Sequence, residues 1–523
     1  MSVEVKVAGA ELQAAQAAAL LDLRADDVAA KLMAADITLW GPDDEAEAAI
    51  RLGWLDAVEV SRRWLPELLA LRQELRAEGL DRVVLCGMGG SSLAPEVICR
   101  SAGVPLVLLD STHPDHVRAA MEGDLTRTVV VVSSKSGGTL ETDSQRRALV
   151  AAFTAAGIDA ARRIVVVTDP GSPFEQMAKD EGYRAVFRSD SHVGGRYSAL
   201  TAFGLVPSAL AGADVEALLE QAAQLLPVLG GQDSPALLLG AALGGDRRDK
   251  IVIDASGTDL AGFGDWAEQL IAESTGKLGM GLLPVVVEAT APELTWNAPD
   301  LHVVRIGTPT PAVGTSVTGP LGEQFLVWEA AVVVAGRLLG INPFDQPDVE
   351  SAKLATRGLL ETQPEPAEPL FSEGAISVYA TPGLLDGQST VEDSLAALLA
   401  TVPAEGYLAV MAYLDRLRDS SLAGVRDALA RRLNRPVTFG WGPRFLHSTG
   451  QFHKGGPMIG SFLQVTGLVS HDVAIPDRPF TFGTLITAQA AGDANVLAQH
   501  GRPVLRLDLT APEGLSQVER ALA

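Results

Sequence analysis

The sequence predicts an α/β protein with two doubly wound parallel sheets in tandem, a helical segment before them and a smaller α/β domain after them. From Arg82 onward, apolar runs of strand length alternate with helical stretches, which is typical of parallel sheets. A chain of 523 residues, 47% hydrophobic and 20% charged, is too long for one core and apolar enough for several. The expected divisions are a helical segment 1–80, a first sheet domain 81–225, a second sheet domain 226–360, a linker 361–373 and a third domain 374–523.

Each division is predicted from local patterns. Apolar residues recur at helical spacing in Ala14–Leu23 and Trp64–Leu75. Three prolines, Pro364, Pro366 and Pro369, stand among acidic and small residues, which indicates the linker. The predicted strands of the three domains are Val83–Cys86, Val104–Leu109, Thr128–Val132 and Ile164–Thr168, then Lys250–Ile253, Leu283–Glu288 and Leu301–Ile306, and finally Tyr407–Leu414, Val437–Phe439, Phe462–Thr466 and Val504–Leu509.

The bulk composition excludes several kinds of partner and site. Two cysteines, Cys86 and Cys99, are too few for a disulfide framework or a cysteine zinc site. A formal charge of −24 makes nucleic acid and anionic membranes poor partners, so an anionic ligand must be met by local donors. The first twenty residues lack a signal-peptide pattern, and no apolar run is long enough to span a bilayer. We therefore expect a cytoplasmic protein.

Two loops rich in glycine and hydroxyl groups follow strands of the first sheet. Gly87–Ser92 follows the first strand and Ser133–Thr139 follows the third, each directly before a helix. Glycines let backbone N–H groups turn toward an anion, and the helix N-termini add their dipoles. Loops at the carboxyl ends of neighbouring strands face one crevice in a doubly wound sheet. The loops predict a site for one phosphate group, with side-chain donors from Ser91, Ser134, Lys135, Ser136 and Thr139.

A dinucleotide site is the alternative interpretation of the first loop. Gly87-x-Gly89, with Asp110 at the end of the next strand, is similar to a dinucleotide fingerprint, but Ser92 stands where its third glycine should be. A dinucleotide would not need the second hydroxyl loop. Turns that merely connect strands would account for one such loop but not for two, so a phosphomonoester site is favoured.

Three further motifs follow in the chain. Gly194–Ser198 contains Gly-Gly-Arg, Ala267–Lys277 contains Glu-Ser-x-Gly-Lys, and Asn342–Lys353 contains Asn-Pro-Phe-Asp-Gln-Pro and ends in a lysine. The two loops resemble those of sugar isomerase (SIS) domains, which bind phosphosugars. Together with these motifs, in this order over roughly residues 80 to 355, the sequence resembles the phosphoglucose isomerase (glucose-6-phosphate isomerase) family.

The resemblance implies two SIS domains and a reversible aldose–ketose isomerisation of glucose 6-phosphate and fructose 6-phosphate, a step of glycolysis and gluconeogenesis, without metal or cofactor. Glu273 would move the proton between C2 and C1 of the opened sugar, as a positioned carboxylate can. Arg196 would stabilise the enediolate with its permanent charge. Lys353 would bind or protonate sugar oxygens around ring opening. The phosphate would lie on Ser91, Ser134, Lys135, Ser136 and Thr139, and the sugar on Gly90, Gln269 and Gln346.

The sequence departs from the family in one respect. The ring-opening histidine should lie between Glu273 and Lys353, but only His302 does, and it stands in a predicted strand. The motif expected around that histidine stands instead at Leu446–Gln451, beyond the lysine. We predict that the third domain is a relocated piece of the family's second half, which returns His447 to the active site in cis or from a neighbouring subunit.

Several alternatives stay open from the sequence. His453 could take the role of His447, and the tail, which resembles that of transaldolase/glucose-6-phosphate isomerase fusion proteins, could be regulatory. Glu273 could merely pair with Lys277 one helical turn on. A sugar-phosphate sensor that has lost turnover and a nicotinamide-dependent dehydrogenase are the competing functions. The chain could be a homodimer, which is usual in the family, or a monomer if the third domain acts in cis.

Overall fold

A computed structural model describes residues 2–362 and 367–522, and its N-terminal segment is helical except for one strand at its start. Glu4, Val5, Lys6 and Val7 alternate polar and apolar side chains, which suits the half-exposed edge strand that they form. The prediction of helices alone missed this strand, because its partner lies far along the chain. The elements are β1 (Glu4–Ala8), α1 (Ala10–Ala25), α2 (Val28–Met33), α3 (Glu45–Ala48) and α4 (Ala57–Ala77).

The first sheet is parallel throughout, as predicted. Its elements are β2 (Arg82–Cys86), α5 (Leu93–Ser101), β3 (Val107–Leu109), α6 (Pro114–Met121), β4 (Thr128–Ser133), α7 (Leu140–Ala155), β5 (Ile164–Thr168), α8 (Pro173–Asp180) and β6 (Ala185–Arg188). The strand order is β3-β2-β4-β5-β6. β2 and β4 are neighbours, and the chain leaves β2 toward β3 on one side and adds β4 on the other. The loops after β2 and β4 therefore flank the point where the strand order reverses, which is where α/β sheets bind ligands.

The second sheet has a parallel core and one antiparallel edge strand. Three helices lead into it, namely α9 (Ala202–Ala211), α10 (Val215–Leu229) and α11 (Pro235–Gly244). Its own elements are β7 (Lys250–Asp254), α12 (Phe263–Thr275), β8 (Leu283–Val287), β9 (Leu301–Ile306), β10 (Gly314–Thr318), α13 (Leu321–Leu339) and α14 (Val349–Thr362). The strand order is β1-β10-β9-β7-β8, with β1 antiparallel to β10.

The third sheet is mixed, with strand order β11-β12-β16-β15-β13-β14 in chain numbering. β13 to β16 are parallel, whereas β11 and β12 form an antiparallel edge. The elements are β11 (Phe371–Glu373), β12 (Ile376–Ala380), α15 (Val391–Ala400), β13 (Tyr407–Tyr413), α16 (Val425–Leu433), β14 (Val437–Trp441), α17 (Gly450–Gly455), β15 (Gly460–Gly467), α18 (Phe482–Gln499), β16 (Val504–Leu509) and α19 (Glu513–Leu522).

The predicted linker 361–373 is shorter in the structure than in the sequence prediction. α14 continues to Thr362, and β11 begins at Phe371 because that residue pairs with Val378 of β12. Pro369 lies between these two elements, while Pro364 and Pro366 lie outside the described residues. Among the helices that the structure describes, none is long and apolar enough to cross a membrane.

The third unit packs on both preceding units through apolar clusters and through charged and polar contacts. Arg426 on α16 forms a bidentate pair with buried Glu293, at 2.7 and 2.8 Å. Thr112, after β3, donates to Gln489 on α18 at 2.6 Å. These contacts join the third unit to the second and to the first.

Candidate active site

The first glycine loop packs against two other functional segments. Gly89 has φ +56°, and a Cβ atom on it would lie 2.8 Å from the carbonyl oxygen of His447. A Cβ atom on Gly90 would lie 1.9 Å from the carbonyl oxygen of Gly195. Glycine is therefore required at both positions, because the backbones approach too closely for a side chain. Ser91 ends this loop in a half-buried position.

The second hydroxyl loop is closed by its own hydrogen bonds. Ser134 Oγ accepts from the backbone N–H of Gly137 at 3.1 Å and lies 3.4 Å from Thr139 Oγ1. Ser136 Oγ accepts from the N–H of Gly138 at 3.1 Å. Thr139 stands at the N-terminus of α7, so the loop presents hydroxyls and a helix dipole on one side.

Lys135 of this loop is engaged elsewhere. Its ammonium donates to the carbonyl of Val193 at 2.7 Å and lies 3.0 Å from Asp169. Burial lowers the pKa of Lys135, an effect that Asp169 partly offsets. Because Val193 precedes the Gly-Gly-Arg motif, Lys135 connects the second loop to the segment that carries Arg196.

Gln269 and Glu273 lie one turn apart on the same face of α12. Gln269 Nε2 donates to Glu273 Oε2 at 3.1 Å and to the carbonyl of His447 at 2.8 Å. Both side chains are buried, with Glu273 7% exposed. One amide thus connects the predicted base to the turn that carries His447.

Arg196 is almost fully buried and faces the same carboxylate. Its Nη1 lies 3.6 Å from Glu273 Oε2 and donates to Gln346 Oε1 at 2.5 Å. Nε donates to Ser274 at 2.8 Å and Nη2 to the carbonyl of Pro343 at 2.8 Å. These contacts fix the guanidinium beside the base, so Arg196 is not a surface turn residue.

Lys277 holds the loop that carries Gln346 and does not pair with Glu273. Its ammonium lies 2.7 Å from the carbonyl of Asn342 and 2.6 Å from the carboxylate of Asp345. Burial, with the nearby charge of Arg196, lowers the pKa of Lys277 to about 8. The alternative of an i,i+4 pair on α12 is therefore wrong.

His447 ends a short turn, Arg444–His447, between β14 and α17 of the same chain. Its Nε2 lies 3.0 Å from Oε1 of Glu141, which also accepts from Gln489 at 2.8 Å. Burial by itself raises the pKa of Glu141, but the charges of His447 and Lys353 lower it below its ordinary value. His447 thus has an ionised carboxylate partner and a backbone held by Gln269.

A cavity of about 310 Å³ opens in front of this histidine. It is lined by the second hydroxyl loop, by Glu141 and by α14, whose Lys353 is 43% exposed and lies 3.5 Å from Glu350. His447 connects the cavity with the surroundings of Glu273. Its ring borders the cavity, and its carbonyl accepts from Gln269, which also donates to Glu273. Ser136, Thr139 and Lys454 also line this cavity.

The other candidate histidines lie in packed surroundings. His453 is buried in the third unit, where its ring stacks on Tyr407 and bonds the phenol at 2.9 Å. Burial lowers its pKa well below the ordinary value. His302 is buried in β9, bonds Thr315 at 2.8 Å and has its pKa lowered to about 4 by burial. The prediction of His302 as a packed strand residue is confirmed.

Asp110, the acidic residue of the dinucleotide fingerprint, is not free to bind the ribose of a dinucleotide. It is fully buried, lies 2.7 Å from Arg444 and 3.5 Å from Arg416, and belongs to the contact between the first and third units. Burial alone raises its pKa, but the two guanidiniums lower it below the ordinary value. A dinucleotide site on the first loop is disfavoured, since its acidic residue is already paired.

Sequence reasoning missed Glu141 and Gln489. Glu141 stands two residues after Thr139, and an acid in the first turn of α7 was the available signal. Gln489 gave no signal, because its role depends on a contact with a helix far away in the chain.

The fold is that of α/β phosphosugar isomerases. The crystal structure of a glucose-6-phosphate isomerase from Chlamydia trachomatis matches with a TM-score of 0.52 and 21% identity, over 61% of this chain and 75% of that one. At this identity the match defines the fold alone.

Sequence comparison defines the family. The family model described as "Phosphoglucose isomerase" matches residues 75–226. A "Probable glucose-6-phosphate isomerase" of Haloarcula marismortui is 31% identical over 54% of this chain and 78% of its own length. A "Glucose-6-phosphate isomerase" of Synechococcus sp. is 29% identical, over 53% of this chain and about two thirds (65%) of its own length. The chain belongs to the phosphoglucose isomerase family and is classed with it among the isomerases.

Proposed function

We propose that this enzyme interconverts glucose 6-phosphate and fructose 6-phosphate through an enediolate. The observation that carries the proposal is the cluster of Glu273, Gln269 and Arg196 beside His447, with Glu273 Oε2 3.1 Å from the amide and 3.6 Å from the guanidinium. The family relatives named glucose-6-phosphate isomerase support the choice of substrate.

The phosphate group lies on the two loops of the first sheet. Ser134, Ser136 and Thr139 supply hydroxyl donors, and the N-terminus of α7 supplies a favourable dipole. Ser91 adds a donor from the first loop. These local donors offset the net charge of −24, which otherwise repels a dianionic substrate.

Ring opening uses His447, with Glu141 as its orienting partner. The imidazole transfers a proton between the ring oxygen and the C1 hydroxyl, while the 3.0 Å contact with Glu141 fixes the ring and stabilises its protonated form. Lys353 binds sugar oxygens from the α14 side of the cavity. Gln346 binds them from the side of Arg196, whose guanidinium donates to it. His447 acts in cis, because its turn contacts Gln269 and Gly89 of the same chain.

Isomerisation uses Glu273. Its carboxylate removes the proton from C2 as the C2–H bond breaks, and it returns a proton to C1 as the new C–H bond forms. The hydroxyl proton moves between O2 and O1, so nothing is gained or lost overall. Arg196 stabilises the negative charge of the enediolate oxygens with a guanidinium that is already held in place by three other partners.

A coupled assay tests the proposal. Fructose 6-phosphate is converted in the presence of EDTA, and the glucose 6-phosphate formed is measured for the wild type, His447→Ala and His192→Ala, an exposed histidine away from the cavity. We expect robust turnover of the wild type and of His192→Ala, and a collapse in His447→Ala. Wild-type binding of fructose 6-phosphate without turnover would instead identify a sensor. Full turnover of His447→Ala would keep the activity and remove His447 from it.

A further inference from the structure

The turn that carries His447 belongs to the third unit but must be placed against the other two. Three residues before the histidine stands Arg444, whose side chain is 11% exposed. It is the first residue of the short turn that His447 ends. Any displacement of Arg444 is therefore passed to the histidine through a single turn of backbone.

Arg444 binds carboxylates from three separate segments. Nη1 lies 2.7 Å from Asp110, and Nη2 lies 2.6 Å from Glu96 and 3.4 Å from Asp265. Asp110 follows β3, Glu96 is on the helix that follows the first glycine loop, and Asp265 is on α12 one turn before Gln269. The same guanidinium therefore contacts the element of the phosphate site and the element of the base.

Arg444 and the carboxylates around it keep one another ionised against the effect of burial. Burial opposes the ionisation of Arg444, but Glu96, Asp110 and Asp265 raise its pKa above the ordinary value. Burial also opposes the ionisation of Glu96, whose pKa Arg444 and Arg416 nevertheless lower. Without Arg444, these carboxylates would lose their closest cation and keep only the longer contacts of Arg416 and Arg100 among the described residues. The carboxylates would then move apart or take up protons.

A second arginine of the third unit provides a comparison. Arg426 pairs with buried Glu293 of the second unit at 2.7 and 2.8 Å, and it also donates to the carbonyl of Val437 at 2.9 Å. This pair fastens the third unit to the second with the same chemistry, whereas Arg444 contacts both the first and the second units. It does so at the start of β14, whereas Arg444 acts beyond the end of that strand.

From this geometry we propose that Arg444 is a positioning residue for the isomerisation. It fixes the position of His447 relative to Glu273 and the first glycine loop. This role is additional to its contribution to the packing of the third unit on the other two. The inference rests on the proposed function for its kinetic consequence, since a misplacement of about 1 Å in an active site can lower the rate roughly a hundredfold.

The experiment compares Arg444→Gln with Arg426→Gln, which removes an equally buried interdomain cation. We expect Arg444→Gln to lower kcat by about thirtyfold to a hundredfold with KM within about threefold of the wild type. Arg426→Gln should keep kcat within about threefold, whatever it does to the midpoint of urea unfolding. Arg444→Lys keeps the charge but not the fork, so its kcat should fall between those of Arg444→Gln and the wild type.

A second readout does not depend on activity. In protein labelled with ¹³C at histidine Cε1, the His447 ring signal is assigned by its loss in His447→Ala. It should shift in Arg444→Gln and stay in place in Arg426→Gln. If Arg444→Gln does not fold, Asp110→Asn, which preserves shape, takes its place with an expected kcat loss of about tenfold.

Equal kcat losses in the two glutamine variants, or an unmoved His447 signal in Arg444→Gln, would overturn the proposal. A wild type that does not isomerise fructose 6-phosphate would contradict the proposed function instead, and the His447 signal would still decide whether Arg444 positions the turn.

Discussion

The two sides of the site are built in different ways. The phosphate side comes from two loops that follow neighbouring strands of one sheet, and it is closed by hydrogen bonds within the loop Ser134–Thr139. The acid–base side brings together Arg196, Glu273, Gln346 and His447 from separate segments, and its contacts run between units. The proposed phosphate site can therefore form within one unit, whereas the proposed chemistry requires all three to be packed together.

This difference separates binding from turnover. Changes on the phosphate side should act mainly on KM, because the loop contacts are made to the substrate before and during reaction alike. Changes on the acid–base side should act mainly on kcat, because proton transfer and enediolate stabilisation occur only along the reaction.

Glu273→Gln should lower kcat by at least about a thousandfold, because an amide cannot accept the C2 proton. KM should change little. Steady-state kinetics in both directions check this, with Glu220→Gln as a control, since the Glu220 side chain is 62% exposed and pairs with Arg62 at the surface. A loss below about tenfold would assign the base elsewhere.

Glu141→Gln should lower kcat about a hundredfold, because the amide cannot stabilise the protonated imidazole of His447. Glu141 stands on the helix of the phosphate loop, yet it serves the acid–base side. A rise in KM with unchanged kcat would assign Glu141 to the phosphate side and contradict this separation of binding from turnover. Glu122→Gln, an exposed residue of the same unit, is the matched control.

The double change Ser134→Ala and Ser136→Ala should raise KM for fructose 6-phosphate by about tenfold to a hundredfold, since hydrogen bonds to charged groups contribute about 1.5 to 3 kcal/mol. kcat should stay within about threefold. The exposed Ser420→Ala is a control for the substitution itself. An unchanged KM would mean that the phosphate is bound at another place.

Stability should decline as the pH falls below about 4.5, the ordinary pKa of a glutamate side chain. The pKa values of Glu141 and Asp110 are lowered in the folded protein, against the effect of burial, by His447 and by the arginines respectively. The unfolded chain therefore binds protons first, and the stabilisation present above the unfolded values is lost as the pH falls through the folded ones. Urea midpoints at pH 7 and pH 3 measure this, since pH 3 lies below the ordinary pKa of an aspartate side chain, 3.8. The decline should be smaller in Asp110→Asn, and an identical decline would exclude that carboxylate as a source.

The sheets of the first two units were predictable because their strands carry local patterns. The predicted run Thr128–Val132 is the buried β4. The strands β1, β6, β10, β11 and β12 were not predicted. Of these, β1, β6 and β11 are short edge strands, and the pairing of β1 and β12 depends on partners far along the chain.

The same distinction holds for the candidate site. Gly90, Gln269 and Arg196 stand in motifs that are continuous in the sequence. The partners of His447 do not, because Glu141 and Gln269 reach it through packing between units that no local spacing encodes. The phosphate and catalytic assignments of the motif residues remain predictions until the kinetics are measured.

The position of His447 within its own chain has a genetic consequence. When a catalytic histidine comes from a second chain, two differently inactivated copies can restore some intact sites by assembling with each other. Here the turn that carries His447 contacts Gln269 and Gly89 of one polypeptide. We therefore expect that Glu273→Gln and His447→Ala, co-expressed in one cell, do not complement each other.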